Sequence, residues 1–266
     1  MIEIRDVSRV YRRGADEVHA LDGVSLAIER GRVAALMGPS GSGKSTLLNL
    51  LAGLDRPSGG EVIVAGQRLN DLSEDELATF RARHVGFVFQ FFNLIPVLDA
   101  QRNVELPLLL TSLGREERRS RALTALRVVG LAERAGHKPA ELSGGEQQRV
   151  AIARAVVSDP EIIVADEPTG DLDAKNAVEI LGLLRDLARE FGKTVVMVTH
   201  DPRGEAFVDE IHHLDKGVLR DSVPGGRVEP SGSSRVEPSG SSCVEPSGSS
   251  AARAEPSESG SREARS

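Results

Sequence analysis

The run Gly38-Pro39-Ser40-Gly41-Ser42-Gly43-Lys44-Ser45-Thr46 has the residue types and spacing of a phosphate-binding loop, G-x-x-x-x-G-K-[ST]. Gly38, Gly41 and Gly43 carry no Cβ, so the backbone can wrap closely and aim its N–H groups at an anion. Lys44 can reach the β- and γ-phosphates of a nucleotide, and Ser45 can hold Mg²⁺. A glycine-rich turn can match this pattern by chance, so the flanking sequence decides. Val33–Met37 is a short apolar run that predicts a buried strand. Ser45–Ala52 has helical spacing, with Gly53 placed to end it. A strand, a glycine turn and a helix N-terminus make an anion site, to which the helix dipole contributes.

Other residues fall where such a site needs them. Asp166 and Glu167 end the predicted strand Ile162–Ala165, and open parallel sheets bind ligands off the carboxyl ends of their strands. Asp166 is suited to orient Mg²⁺, directly or through water, and Glu167 to polarise an attacking water. The alternative is an acidic strand end facing solvent. His200 follows the predicted strand Val195–Val198 and can touch a terminal phosphate, or simply be solvated. Gln90 ends the predicted strand Val85–Phe89, where its amide can reach metal or water. Tyr11 is the only tyrosine in a chain without tryptophan. Its ring can stack on a purine or serve as a packing residue.

Leu142-Ser143-Gly144-Gly145-Glu146-Gln147-Gln148-Arg149 has the form of a helix start. Ser143 with Glu146 three residues on is a capping box, which needs no ligand. The box leaves Gly144 and Gly145 unexplained, since each glycine costs about 1 kcal/mol in a helix. A phosphate approaching the backbone would account for them.

The elements around these residues alternate between strand and helix. Ile2–Val10, Val24–Ile28 and Glu61–Ala65 are further strands. Ser73–Glu76 is a second capping box, opening a helix to about residue 83. Arg115–Val129 is a helix dense in Arg and Glu, with a solvated face, and Ala174–Phe191 is a helix between two apolar strands. The pattern predicts an α/β fold with a P-loop core and a mainly parallel sheet. An N-terminal antiparallel β part and a helical insertion over about residues 90–141 complete it. The chain has 266 residues, and its body, residues 1–222, can bury a full core.

From residue 223 the composition changes. Val228–Ser234 recurs at 236–242 and at 244–250, a period of eight, with a degenerate copy at Ala254–Ser257. Each full unit holds one Val and no other apolar residue, so stacked units would bury almost nothing. Residues 223–266 are therefore expected to be a disordered tail, and a chain ending at Asp221 to keep its nucleotide turnover. The sole cysteine, Cys243, lies there, which rules out a disulfide within one chain and fits a reducing compartment. The formal charge of −7 argues against a general nucleic-acid binder. Met1–Val7 alternates like a strand, so no secretory signal is expected. No apolar stretch approaches the ~20 residues that span a bilayer, so any membrane-spanning part must come from other chains.

Taken together and in this order, the motifs resemble the ATP-binding subunits of ABC transporters, over nearly all of residues 1–220. By that resemblance Gly38–Thr46 is the Walker A loop, Gln90 the Q-loop residue and Leu142–Arg149 the signature motif. Ile162–Glu167 is Walker B, Asp171-Leu172-Asp173 the D-loop, His200 the switch histidine and Tyr11 the adenine-stacking aromatic. Phe87–Pro96, Asn103–Leu108 and Glu167–Asp173 resemble the lipoprotein-release and macrolide-export branch, which includes a bacterial division ATPase working with a related permease. Asp171 departs from it, since Asn is more usual there. The resemblance implies an ATPase that uses ATP and Mg²⁺ and forms a homodimer closing head to tail on two ATP molecules. Ser143 and Gly145 of one protomer would meet the nucleotide held by Lys44 of the other. It further implies an integral membrane permease as partner, felt through the insertion near Phe91–Asp99. The chain would then sit at the cytoplasmic face of the inner or plasma membrane, touching it only through the permease, with no direct nucleic-acid contact. Such a subunit drives export or extraction of a lipophilic substrate. The alternative is a regulatory ATPase that moves a permease to control an extracytoplasmic hydrolase or division machinery.

Overall fold

Four five-residue runs form the centre of the protein because they carry almost nothing that needs water. The computed structural model describes residues 1–14 and 16–226. From residue 227 onward the repeat-bearing tail lies outside the described residues. Along the chain the strands are β1 (Ile2–Arg13), β2 (Asp16–Ile28), β3 (Val33–Met37), β4 (Gly59–Val64), β5 (Gln67–Arg68), β6 (Val85–Phe89), β7 (Ile162–Asp166), β8 (Thr194–Val198), β9 (Glu210–Asp215) and β10 (Val218–Pro224). The helices are α1 (Lys44–Leu51), α2 (Glu74–His84), α3 (Ala100–Glu105), α4 (Arg115–Val128), α5 (Gly144–Val156) and α6 (Ala174–Phe191).

The main sheet has the order β10-β9-β3-β8-β7-β6. Its strands are parallel except β10, which runs antiparallel to β9. β3 and β8 are buried at every position, as strands covered on both faces must be. The period-two alternation of β3 divides the core in two. Val33, Ala35 and Met37 face a cluster that includes Val104, Leu126, Ile152 and Leu184 from the helices. Ala34 and Leu36 face another that includes Leu47 and Leu51 of α1 and Ile4, Leu26 and Val62 of a second sheet. That sheet is antiparallel, in the order β2-β1-β4-β5. The expected α/β architecture with an N-terminal antiparallel part is thus what the chain builds.

Helix ends follow local chemistry. Ser73 and Glu76 close the predicted capping box on α2, with Glu76 Oε2 accepting from the Ser73 N–H at 2.8 Å. Gly192, in the left-handed region at φ 65°, ends α6. α4 buries only Ala122, Ala125 and Leu126, leaving its Arg and Glu face solvated. With α3 it forms much of the insertion expected at residues 90–141.

Three strands were not legible: the two-residue β5, together with β9 and β10. β9 and β10 carry charges and histidines, so their sequence shows no apolar run; their place at the sheet edge supplies the pairing instead. β10 also continues past the expected end of the body, pairing Ser222, Val223 and Pro224 with His212, Ile211 and Glu210. Ser222 Oγ hydrogen-bonds the buried His212 Nδ1 at 2.8 Å, and the Gly226 N–H donates to Glu205 O at 3.0 Å. The cut that spares the sheet therefore lies after Gly226. A chain ending there is expected to keep both its ATPase rate and its unfolding midpoint. One ending at Asp221 should unfold at lower temperature, read by thermal denaturation.

Candidate active site

The phosphate loop bridges the end of β3 and the start of α1, and its glycines answer to packing as well as to a ligand. Gly38 has φ 147°, and a Cβ there would lie 2.0 Å from Leu214 O of β9. Gly43 has φ 100°, and its Cβ would lie 2.4 Å from Ala20 O of β2. Gly41, at φ 77°, has open space around it, so only its backbone conformation demands glycine. The turn between β9 and β10 braces the loop, the Gly217 N–H donating to Ser42 O at 3.0 Å. Lys44 is buried, and its ammonium donates to Gly38 O at 2.9 Å and Pro39 O at 2.8 Å. Ser40, Gly41 and Ser45 are exposed at the mouth and Thr46 is half-buried. The N-cap of α1 is Gly43, which has no side chain to satisfy the first-turn N–H groups, and no acidic residue sits in that turn. Those donors are available to an anion.

The carboxylates stand beside this loop. Ser45 Oγ donates to Asp166 Oδ1 at 3.3 Å, joining the start of α1 to the end of β7. Burial pushes the Asp166 carboxyl above its usual range, and the adjacent Glu167 charge adds to this, against the Ser45 hydrogen bond and the Lys44 charge. Glu167 sits at φ 47°, a conformation glutamate seldom adopts. It is fixed by its N–H donating to Val198 O at 3.0 Å. His200 Nδ1 lies 3.2 Å from Glu167 Oε1. These two line a cavity of about 230 Å³ with Thr169, Thr199 and Arg203. Gln90 Nε2 donates to Asp171 Oδ1 at 3.4 Å, across the turn that follows Glu167. One protomer therefore brings Lys44, Ser45, Asp166, Glu167, His200 and Gln90 to a single edge of the sheet.

The remaining candidates stand apart. Tyr11 donates its hydroxyl to Asp55 Oδ2 at 2.7 Å, and the Arg9 guanidinium lies 4.5 Å over its ring. Arg9 also pairs with Asp55. Tyr11 is thus engaged in a polar cluster, with 37% of its surface exposed for stacking. Ser143 caps α5, accepting from the Glu146 N–H, and Glu146 Oε2 accepts from the Ser143 N–H at 2.8 Å. That backbone bond is the chief cause holding the Glu146 carboxyl below its usual range. Asp173 caps α6, accepting from the Asn176 N–H at 2.9 Å. Among the described residues no hydrogen bond joins Ser143, Gly144, Gly145 or Asp173 to residues 38–46. Gly145 has an explanation within its own chain, because a Cβ there would lie 2.2 Å from Asn176 Oδ1. Gly144 has none, since its Cβ would make only ordinary contact with Leu172 at 3.5 Å. Sequence reasoning passed over Gln148, whose neighbours come from distant parts of the chain.

A family model described as ABC transporter matches residues 21–170. The ABC transporter ATP-binding protein MJ0796 of Methanocaldococcus jannaschii is 51% identical, over 82% of this chain and 95% of that one. The chain belongs to the ABC transporter family. The lipoprotein-releasing system ATP-binding protein LolD of Chromohalobacter salexigens is 48% identical over 84% of this chain and 94% of its own. The macrolide export ATP-binding/permease protein MacB of Hyphomonas neptunium is 47% identical, but this chain spans only 34% of its length. A dimeric structure of MJ0796 in a post-hydrolysis state, bound to ADP and Pi, superposes with a TM-score of 0.77 at 47% identity, covering 84% of this chain and 98% of that one. As an ABC transporter ATPase the chain binds and hydrolyses ATP, and its relatives are those of the lipoprotein-release and macrolide-export branch.

A raised pKa means that the folded chain holds the Asp166 proton more tightly than the unfolded one. Stability from this group is therefore present at low pH and lost as pH rises through the folded value. Asp166→Asn should raise the unfolding midpoint of the nucleotide-free protein near neutral pH while sharply lowering ATP turnover, measured by calorimetry and phosphate release. Gly145→Ala should destabilise the single protomer by about 1–3 kcal/mol through overpacking, whereas Gly144→Ala should not lower its denaturant midpoint and can raise its stability by up to about 1 kcal/mol, the cost of a helical glycine.

Proposed function

We propose that two copies of this chain close head to tail on two ATP molecules and that the cycle of closing and opening drives a separate membrane permease. The observation that carries this reading is the half-built pocket. Lys44, Ser45, Asp166, Glu167 and His200 share one sheet edge, while Ser143 and Gly144 make no hydrogen bond to the loop of their own protomer. A second protomer, turned head to tail, would supply that turn and enclose the γ-phosphate. The dimeric MJ0796 cassette holding ADP and Pi supports the arrangement. Gly144, free of any packing demand in its own chain, is the position where a partner's phosphate can approach the backbone.

In this reading Lys44 leaves the carbonyls of Gly38 and Pro39 for the β- and γ-phosphates. Ser45 and Asp166, with Gln90, present hard oxygen donors that suit Mg²⁺. That ion would neutralise charge on the phosphates and offset the cost of an ionised, half-buried Asp166. Glu167 orients and polarises water, with His200 directing its carboxylate. Tyr11 stacks its exposed face on the adenine. Because neither protomer surrounds the γ-phosphate alone, hydrolysis depends on assembly, and ATP shifts the population toward the closed dimer by binding it more tightly.

The permease reading rests on surface and on relatives. Among the described residues no helix is long and apolar enough to cross a membrane. Phe91 and Val97, in the segment after Gln90, are 72% and 75% exposed, and Ile95 is 40% exposed. These apolar side chains, closely spaced in the chain and beginning next to Gln90, fit a docking surface for a partner. The near full-length match to LolD supports a separate permease and a lipophilic cargo, with the chain at the cytoplasmic face of the membrane. Glu167→Gln should bind ATP, hydrolyse it at least ~100-fold more slowly, and accumulate a dimer on gel filtration with Mg-ATP. Parental turnover, or a protomer that stays single under these conditions, would overturn the reading.

A further inference from the structure

Gln148 lies on α5 and is wholly buried. Its carboxamide Nε2 donates two hydrogen bonds, to Pro168 O at 2.7 Å and to Phe89 O at 3.3 Å. The two carbonyls belong to elements far apart in sequence. Phe89 ends β6 and immediately precedes Gln90, while Pro168 immediately follows Glu167. One side-chain amide therefore grips the backbone next to both residues that face the reacting phosphate and water. The rest of this backbone has little freedom. The Glu167 N–H is tied to Val198 O on the β8 side, and the Gly170 N–H closes the turn on Glu167 O at 3.1 Å. A Cβ on Gly170 would lie 2.9 Å from Gln90 Nε2, so the Gln90 side chain rests on the same turn. Gln148 holds this unit from the α5 side.

The orientation of the amide points to its task. Gln148 Oε1 is buried and has no hydrogen-bond partner. An unpaired buried acceptor is a cost that a well-packed apolar side chain would avoid, so packing alone does not account for glutamine here. What glutamine offers is a pair of N–H donors in a fixed plane, directed at two carbonyls at once. We propose that Gln148 is a positioning residue that sets Gln90 and Glu167 relative to each other for ATP hydrolysis. Ser143 caps the same helix, so Gln148 ties the backbone beside Gln90 and Glu167 to the helix that begins at the signature turn. The inference rests on the roles given above to Gln90 and Glu167. Misplacing a reacting group by about 1 Å can cost as much as 100-fold in rate.

The test uses the full chain with Gln148→Met, which keeps the length of the side chain and removes both donors. Turnover number should fall about tenfold or more, with KM for ATP and the dissociation constant of a fluorescent ADP analogue each held within about twofold, because the phosphate loop is untouched. A turnover number within about twofold of the parent, or equal losses of turnover and ADP affinity, overturns the proposal. Gln148→Glu gives a second readout. Burial raises the pKa of such a carboxyl, and only its protonated form can donate to Pro168 O. Its turnover relative to the parent should rise as pH falls from about 8 to about 6. A flat ratio overturns the proposal, and so does loss of folding in both variants, which would leave Gln148 a core residue only. Glu167→Gln separates the two readings. Should it turn over at the parental rate, the site assignment fails; should it be slow while Gln148→Met is not, only the positioning role fails.

Discussion

The register of the parallel sheet is the constraint on which the site depends. Leu36 of β3 pairs with Val198 of β8, Val198 with Asp166 of β7, and Asp166 with Phe89 of β6. These residues form one row across the sheet. Glu167 and Gln90 lie one residue beyond that row, and Gly38 and His200 lie two beyond it. Parallel strands all point their carboxyl ends the same way, so the row delivers the phosphate loop, the carboxylates, the amide and the imidazole to one edge. A slip of a single residue in any strand would turn its side chains to the opposite face. The register is held because both faces are buried, so no slipped arrangement keeps the apolar rows of β3 and β8 against their two cores.

Function is assembled on this edge at some expense to stability. Asp166 and Glu167 are adjacent carboxylates, and burial already disfavours the charge on Asp166. Glu167 adopts a left-handed backbone that its neighbours must enforce. Lys44 is satisfied by the carbonyls of its own loop. Lys44 thus carries no such cost, whereas the disfavoured charge on Asp166 is one that a bound hard cation would relieve.

The signature turn shows how one sequence feature can answer two demands. Its capping box is complete within α5 and would form without a ligand. Its second glycine lets α5 meet α6 at Asn176, while its first has no such duty. Tyr11 is similar, bound by hydroxyl and ring face to Asp55 and Arg9, yet leaving ring surface open. Residue type alone does not separate such roles, because a glycine required by a neighbouring helix and one required by a phosphate look the same in sequence.

What the sequence determined by itself is whatever acts over a few residues. The capping boxes at Ser73 and Ser143 need only a serine and a glutamate three positions apart. The buried strands declare themselves as unbroken apolar runs, and the phosphate loop by glycines, a lysine and a hydroxyl at fixed spacing. Only the tertiary structure decided the rest. β9 and β10 became strands because the edge of the sheet offered them partners, despite their charges. Gly38 and Gly43 proved to be pressed against Leu214 and Ala20, which come from other strands. The amide of Gln148 found two carbonyls separated from it by long stretches of chain. The physical reason is common to all three. A hydrogen bond or a steric contact depends on distance in space, and for residues far apart in the chain that distance does not exist until the sheet has set its strand order and register.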